Sequence, residues 1–481
     1  MPPASVFAFA ALIGFTTTLA PAQVTPSSAS RVLPSDADIR KILAERVDTL
    51  ASSQDGIGIV VGVIGPQGRK VIPYGHRSQA DPRPLNGDTV FEIGSVSKVF
   101  TALLLADMVR KGEVALADPV AKYLPAGAKI PERNGRPITL VDLATHTSGL
   151  PFMPDELPVF SASAAANNSD APLYRFLARY QLTRNSGTEW DYSNIGYWLL
   201  GQALAARAGI DYESLLRARV TAPLQMKNTA ITLSSRLKAR LAVGHNAVLQ
   251  PSSSFSSVSL YAAMPAAGGL VSTVNDLLSF LSVALGYEPS PLASSMAAMI
   301  RTRRPIDGSE QALGWVVTGK GDDQLVMHDG FTWGYASYMA WNPATRIEVV
   351  VLSNQLGAVD DIGRHLLQPD VPLEKPTVTR HTEIVLDVPT LDLYAGQYEA
   401  KDVGTFTVTR DHDFLTIQLP ADWGLPKLRL RPETRHDFFV AELPVRVLFQ
   451  TDSEGRVNGL LLYPPRGQHA LPANRLSSQR Q

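Results

Sequence analysis

The chain has 481 residues, 45% hydrophobic and 19% charged, which is apolar material enough for the cores of two or three ordinary domains. Lys and Arg number 44 against 45 Asp and Glu, and no basic run occurs, so nothing favours nucleic acid or an anionic membrane surface as a partner. Cysteine is absent, which excludes thiol nucleophiles, thiolate metal sites and disulfides.

Residues 1–30 carry no charged side chain. The stretch from Val6 to Leu19 is largely apolar, and Ala20-Pro21-Ala22 offers a small-x-small cleavage site. Residues 1–22 therefore read as a signal peptide, and the mature protein as secreted or periplasmic. No Lys or Arg precedes the apolar run, which keeps an uncleaved anchor or a disordered tail as alternatives. The run is shorter than the ~20 residues a membrane helix needs.

Apolar spacing at Ile39, Ile42, Leu43, Val47 and Leu50 predicts a helix over 36–53. Two β-rich runs, Ile57 to Ile64 and Lys70 to Tyr74, flank Gly65-Pro66-Gln67-Gly68 and predict a hairpin. A helix over 96–111 follows whose first turns lack a polar face, so it is expected to be buried. Residues 112–290 mix helices with Pro- and Ser-rich loops, of which 252–259 is expected at the surface. Strand-like runs come at 313–318, 323–328, 334–341 and 346–353. Residues 367–386, with Pro369, Pro372 and Pro376, read as a linker. Beyond it, short alternating runs at even spacing predict an up-and-down barrel or a sandwich. No solenoid-type repeat occurs.

Three short patterns carry candidate chemistry. In Ser95-Val96-Ser97-Lys98 the first and last residues share one face of the predicted buried helix, at its positive end. A hydroxyl is a poor nucleophile until a neighbour takes its proton, and an amine one turn away can do so. The alternative, a capping Ser with a surface Lys, fits poorly with the apolar run Val99 to Ala106. In Tyr192-Ser193-Asn194 a phenol could shuttle a proton and an amide could grip a carbonyl, against a plain turn with a capping Asn. His328-Asp329-Gly330 ends a predicted strand, and its Gly would admit a close backbone approach; alternatively His328 is an ordinary satisfied histidine. The histidines show no His-Glu-x-x-His pattern, and no Gly-x-Ser-x-Gly elbow or phosphate-cradling loop occurs, which disfavours metal hydrolases, α/β-hydrolases and nucleotide chemistry.

Taken in order over about 40–365, these patterns resemble the serine β-lactamase-like superfamily, in particular its class C branch of β-lactamases, D-Ala-D-Ala carboxypeptidases, D-aminopeptidases and esterases. Further matching stretches are Phe91 to Lys98, Leu143 to Pro151, Ala266 to Thr273 and Trp341-Asn342-Pro343. The resemblance implies an α/β (α+β) β-lactamase/transpeptidase-like fold over 23–366, with an antiparallel sheet and a helical subdomain. The segment 387–481, from Leu391-Asp392-Leu393-Tyr394-Ala395-Gly396-Gln397-Tyr398 onward, resembles an appended lipocalin-like β-barrel.

Carried over by position, the resemblance makes Ser95 the nucleophile, Lys98 its proton partner and Tyr192 the general base that later protonates the leaving group. Asn194 would bind the substrate's side-chain amide, and the N–H groups of Ser95 and Phe331, beside Gly330, would form the oxyanion hole. No cofactor or metal is implied; the partner is a small-molecule or peptide substrate. One departure stands out. The class C β-lactamases have Lys-Thr-Gly where this chain has His328-Asp329-Gly330. A histidine near its ordinary pKa of ~6.5 would attract a substrate carboxylate only when protonated, and Asp329 would add a negative charge nearby. The expected function is a Ser95 acyl-enzyme hydrolase, first a penicillin-binding-protein-like peptidase or amidase on D-amino-acid peptides. β-Lactam hydrolysis, carboxylester hydrolysis and a catalytically silent binder of cell-wall fragments are the alternatives.

Overall fold

The computed structural model describes residues 33–50, 56–81, 83–153, 171–251, 264–357, 359–375, 381–401, 403–420, 427–443, 445–463 and 470–476. The expected signal peptide and the Ser-rich stretch 252–259 lie outside the described residues. Among the described residues no helix is long and apolar enough to cross a membrane.

Helix α1 (Asp36–Leu50) leads into β1 (Gly58–Gly65) and β2 (Gly68–Gly75). The pairing of Gly65 with Gly68 leaves Pro66 and Gln67 as the hairpin's two-residue loop, as the turn chemistry predicts. The two-residue strands β3 (Phe91–Glu92) and β4 (Val271–Ser272) pair with each other. Helix α2 (Ser97–Arg110) follows β3, α3 (Asn194–Ala208) opens the second half of the helical subdomain, and α4 (Val274–Ala284) follows β4. The chain then builds β5 (Arg304–Ile306), β6 (Ser309–Gln311), β7 (Val316–Thr318), β8 (Leu325–Phe331), β9 (Ala336–Asn342) and β10 (Ile347–Ser353), and closes with α5 (Asp360–Leu367). The antiparallel sheet runs β2-β1-β10-β9-β8-β7-β6-β5, so the hairpin at the start of the chain pairs with its last catalytic-domain strand. Strands β5 and β6 were not anticipated, because their Arg-, Pro- and Glu-containing residues lack an apolar alternation.

Every residue of β1 and β10 is buried, since helices cover both faces of the sheet. Ile59, Val61 and Val63 pack with Ile39 and Leu43 of α1 and Ile362 and Leu366 of α5. Val60 and Ile64 point the other way, into the core shared with α2, α3 and α4. Strand β8 alternates in the same manner: Leu325 and Met327 join the first cluster, and Val326 the second. That parity decides which residues of His328-Asp329-Gly330 face Ser95.

The C-terminal part is a closed barrel of eight strands in chain order, β11 (Gly396–Ala400), β12 (Gly404–Asp411), β13 (Phe414–Gln418), β14 (Leu428–Pro432), β15 (Asp437–Val440), β16 (Val445–Thr451), β17 (Val457–Tyr463) and β18 (Leu471–Arg475). Strand β11 pairs with β18 and removes the free edges, so of the two architectures expected, barrel and sandwich, the barrel is present. Rings fill its centre: Tyr394, Phe438 and Phe449 meet with centroids 4.5 to 5.4 Å apart. Glu383 pairs with Arg429 and Arg431 of β14, so contacts with the barrel begin inside the stretch 367–386 expected as a linker. The barrel's apolar cluster also takes in Trp333, which follows β8, and touches Phe152 of the helical subdomain. The two domains therefore meet beside the end of β8.

Candidate active site

A single 3₁₀ turn, Gly94–Val96, carries Ser95 into the buried N-terminus of α2. Gly94 has φ +48°, and a Cβ there would lie 2.8 Å from Phe331 N and 2.6 Å from Phe331 O. A Cβ on Gly330 would lie 2.9 Å from Ser95 N and 2.2 Å from Ile93 O. Two glycines thus let the Ser95 turn and the end of β8 approach backbone to backbone, which brings the amides of Ser95 and Phe331 close together. Ser337 locks the approach by donating to Ile93 O at 2.8 Å.

Lys98 lies one turn along α2 and is fully buried. Its Nζ reaches Ser95 Oγ at 3.0 Å, Asn194 Oδ1 at 2.7 Å and Ala267 O at 2.6 Å. Burial disfavours its ammonium form and holds its pKa well below the ordinary lysine value. Ala267 is held in place by its neighbours. Thr101 Oγ1 donates to Ala266 O at 2.7 Å, and Ser97 Oγ accepts from Leu270 N at 3.1 Å. The stretch from Ala266 to Leu270 is therefore the floor against which α2 sets its lysine.

Tyr192 O–H donates to Ser95 Oγ at 2.7 Å, and Lys98 Nζ lies 4.8 Å from the centre of its ring. Ser193, rather than Asn194, caps α3, accepting from Gly196 N at 2.9 Å. Asn194 is fully buried. Its Oδ1 is taken by Lys98 and its Nδ2 lies 3.5 Å from Met153 Sδ, so in the structure it serves the lysine. His146, which sequence reasoning left without a role, positions the tyrosine. Its ring stacks on Tyr192 with centroids 4.2 Å apart, and its Nδ1 accepts from Ser193 N at 3.0 Å. Its O accepts from Asp191 N at 2.7 Å, and it adopts φ +57°, uncommon for a non-glycine residue. Burial keeps it neutral, well below the ordinary histidine value. The signal was in the sequence, in the match from Leu143 to Pro151, but no spacing rule connects that loop to Tyr192.

His328 and Gly330 face the side of the strand that holds Ser95 and Lys98. Asp329 takes the opposite parity and faces α5, where its carboxyl meets the charges of Asp360 and Arg364 and burial lifts its pKa to about 6. The negative charge expected near His328 thus lies on the other side of the strand, where it still acts on Lys98. The expectation of a His328 that titrates near neutrality fails. Burial lowers its pKa to about 3, so it is neutral near pH 7. Of the expected residues, the structure gathers Ser95, Lys98, Tyr192, Asn194, His328, Gly330 and Phe331 around one point. Among the described residues no three His, Asp or Glu side chains converge as metal ligands would.

The sequence matches the family Beta-lactamase over residues 39–370 and a Domain of unknown function (DUF3471) over 383–474. The chain is similar to the D-alanyl-D-alanine-carboxypeptidase/endopeptidase AmpH of Escherichia coli (strain K12), 31% identical over 300 residues, which cover 57% of this chain and 75% of that protein. It is also similar to Penicillin-binding protein 4* of Bacillus subtilis (strain 168), 26% identical over 88% of this chain and 96% of the relative. The crystal structure of a β-lactamase/D-alanine carboxypeptidase from Yersinia pestis superposes with a TM-score of 0.55 at 27% identity, over 67% of this chain and 94% of that one.

Proposed function

Because the chain belongs to the β-lactamase family of serine hydrolases, we propose that it cleaves amide bonds of D-amino-acid peptides through an acyl-enzyme on Ser95. The observation that carries this reading is the set of partners around Lys98 Nζ. A neutral amine has two N–H donors and one lone pair. Two of its three neighbours, Ala267 O and Asn194 Oδ1, can only accept, so they take the two N–H groups. In that neutral form the lone pair is left to take the proton of Ser95, whose Oγ lies 3.0 Å from Nζ.

Lys98 then takes the Ser95 proton as Oγ attacks the substrate carbonyl. The oxyanion forms against the amides of Ser95 and Phe331, fixed donors of a kind typically worth ~2.7–4 kcal/mol each. Collapse breaks the C–N bond, and the leaving nitrogen takes the proton of Tyr192. The new ammonium of Lys98, beside the ring, stabilises the phenolate. In the second half water gives a proton to that phenolate and attacks the acyl carbon, and Ser95 Oγ leaves with the proton held on Lys98. Protons balance over the cycle, and both residues return to their starting states.

β-Lactam hydrolysis is the second reading, since the same steps open a strained lactam. The uncharged, apolar N-terminal stretch supports a periplasmic or secreted location. The test is covalent labelling. A fluorophosphonate should label the wild type and leave Ser95→Ala unlabelled, and that variant should lose turnover of D-Ala-D-Ala peptides, nitrocefin and p-nitrophenyl acetate alike. Equal labelling of both proteins would assign the nucleophile elsewhere.

A further inference from the structure

His328 stands on the inner face of β8, two residues before the glycine that touches the nucleophile turn. Its Nδ1 lies 2.6 Å from the carbonyl oxygen of Asp329. A carbonyl oxygen can only accept, so Nδ1 carries the proton and fixes the tautomer. In a neutral ring Nε2 is then a bare lone pair. Among the described residues that is the one hydrogen bond its side chain makes, and His328 is 4% exposed. We infer that His328 Nε2 is an acceptor subsite that selects substrates presenting an uncharged N–H donor, such as a carboxamide or an internal peptide bond, and that it rejects a free carboxylate. The inference rests on the Ser95 reading and names the substrate class of that site.

The charges around the ring agree. Lys98 on α2 faces it from the core, with burial disfavouring its ammonium form, and His146 faces it from the loop that follows Ala144 and is neutral. Asp329, with Asp360 and Arg364, lies across the sheet. The two stretches that adjoin the site in sequence, 154–170 after Met153 and 252–263 before Met264, contain no Lys, Arg or His. Among the described residues Lys98 is the cation that acts on the ring, and its Nζ is taken up by Ser95, Asn194 and Ala267, so a carboxylate entering here would leave water for the lone pair of Nε2. A carboxamide would donate to that lone pair instead.

The experiment uses the full chain and three acetylated D-Ala-D-Ala ligands that differ at the C-terminus: carboxylate, carboxamide and N,N-dimethylamide. Each is measured as a competitive inhibitor of p-nitrophenyl acetate hydrolysis from pH 5 to 9. The carboxamide should bind at least about tenfold more tightly than either of the others, because a site built for a hydrogen bond discriminates strongly against ligands that cannot make it. The carboxylate should not gain as pH falls through ~6.5, since the ring does not titrate there. His328→Leu should erase the difference between carboxamide and dimethylamide, and His328→Gln, which restores an uncharged acceptor, should recover it. His328→Lys should invert the order in favour of the carboxylate. Fluorophosphonate labelling of Ser95 checks that each variant is folded. A carboxylate that binds best to the wild type, a dimethylamide equal to the carboxamide, a carboxylate that tightens on acidification, or no inhibition by any ligand overturns the inference. If p-nitrophenyl acetate is turned over equally by Ser95→Ala, the Ser95 reading itself has failed, which is a separate result.

Discussion

Gly330→Ala tests the backbone approach on which the proposed oxyanion hole depends. The new Cβ would stand 2.2 Å from Ile93 O, 2.6 Å from Ser337 Oγ and 2.9 Å from Ser95 N. Ordinary van der Waals contact for these atoms begins at 3.4 Å, so Ile93 O falls short of it by more than an ångström. Ser337 Oγ can swing aside, but Ile93 O and Ser95 N are backbone and cannot. The nucleophile turn and β8 must therefore separate by about 1 Å, a misplacement that costs on the order of 100-fold in rate. Overpacking of this kind also costs about 1–3 kcal/mol of stability. The assay is kcat/KM for p-nitrophenyl acetate and nitrocefin, with thermal unfolding as the control for folding. A folded variant with kcat/KM within twofold of wild type would refute the assignment of the Ser95 and Phe331 amides as a hole set by that contact.

His146→Ala should lower kcat about tenfold or more with KM little changed, and in a Tyr192→Phe background it should cost little further, because it acts through the tyrosine. Equal losses in both backgrounds would give His146 an independent role. Glu348 is fully buried between Ile64 and Trp341, neither of its oxygens has a hydrogen-bond partner among the described residues, and burial lifts its pKa to about 9. A raised folded pKa means stability present below the ordinary carboxyl range and lost as pH rises through about 9. Glu348→Gln should therefore raise Tm at pH 7 and above and leave it nearly unchanged at pH 4; a Tm gain equal at both pH values would refute this. Deleting 381–481 should leave a cooperatively folding catalytic domain that binds a hydrophobic dye at exposed Trp333 and Phe152. A truncated protein that melts without cooperativity would make the barrel part of the catalytic core.

The sequence by itself determined the local pieces, because each depends on chain neighbours. The Ser95–Lys98 spacing needs only a helix, the Gly65 to Gly68 turn needs only its own backbone, and the alternating runs after residue 387 need only period two. The barrel could not be told from a sandwich, since closure is a pairing of β11 with β18 across the whole domain. The resemblance brought Ser95, Lys98, Tyr192 and Phe331 onto one list, but only the folded chain says what each touches. Asn194 turned out to hold the lysine, and His146 to hold the tyrosine, through contacts 96 and 47 residues apart in sequence. The charge state of His328 was the clearest failure of sequence reasoning. An ordinary pKa describes a ring in water, and desolvation by burial outweighs that reference. The side of the sheet taken by Asp329 likewise follows from the parity of β8 against its two clusters. Solvent exclusion and long-range pairing exist only once the chain has closed on itself, so the tertiary structure alone decides what this site attracts.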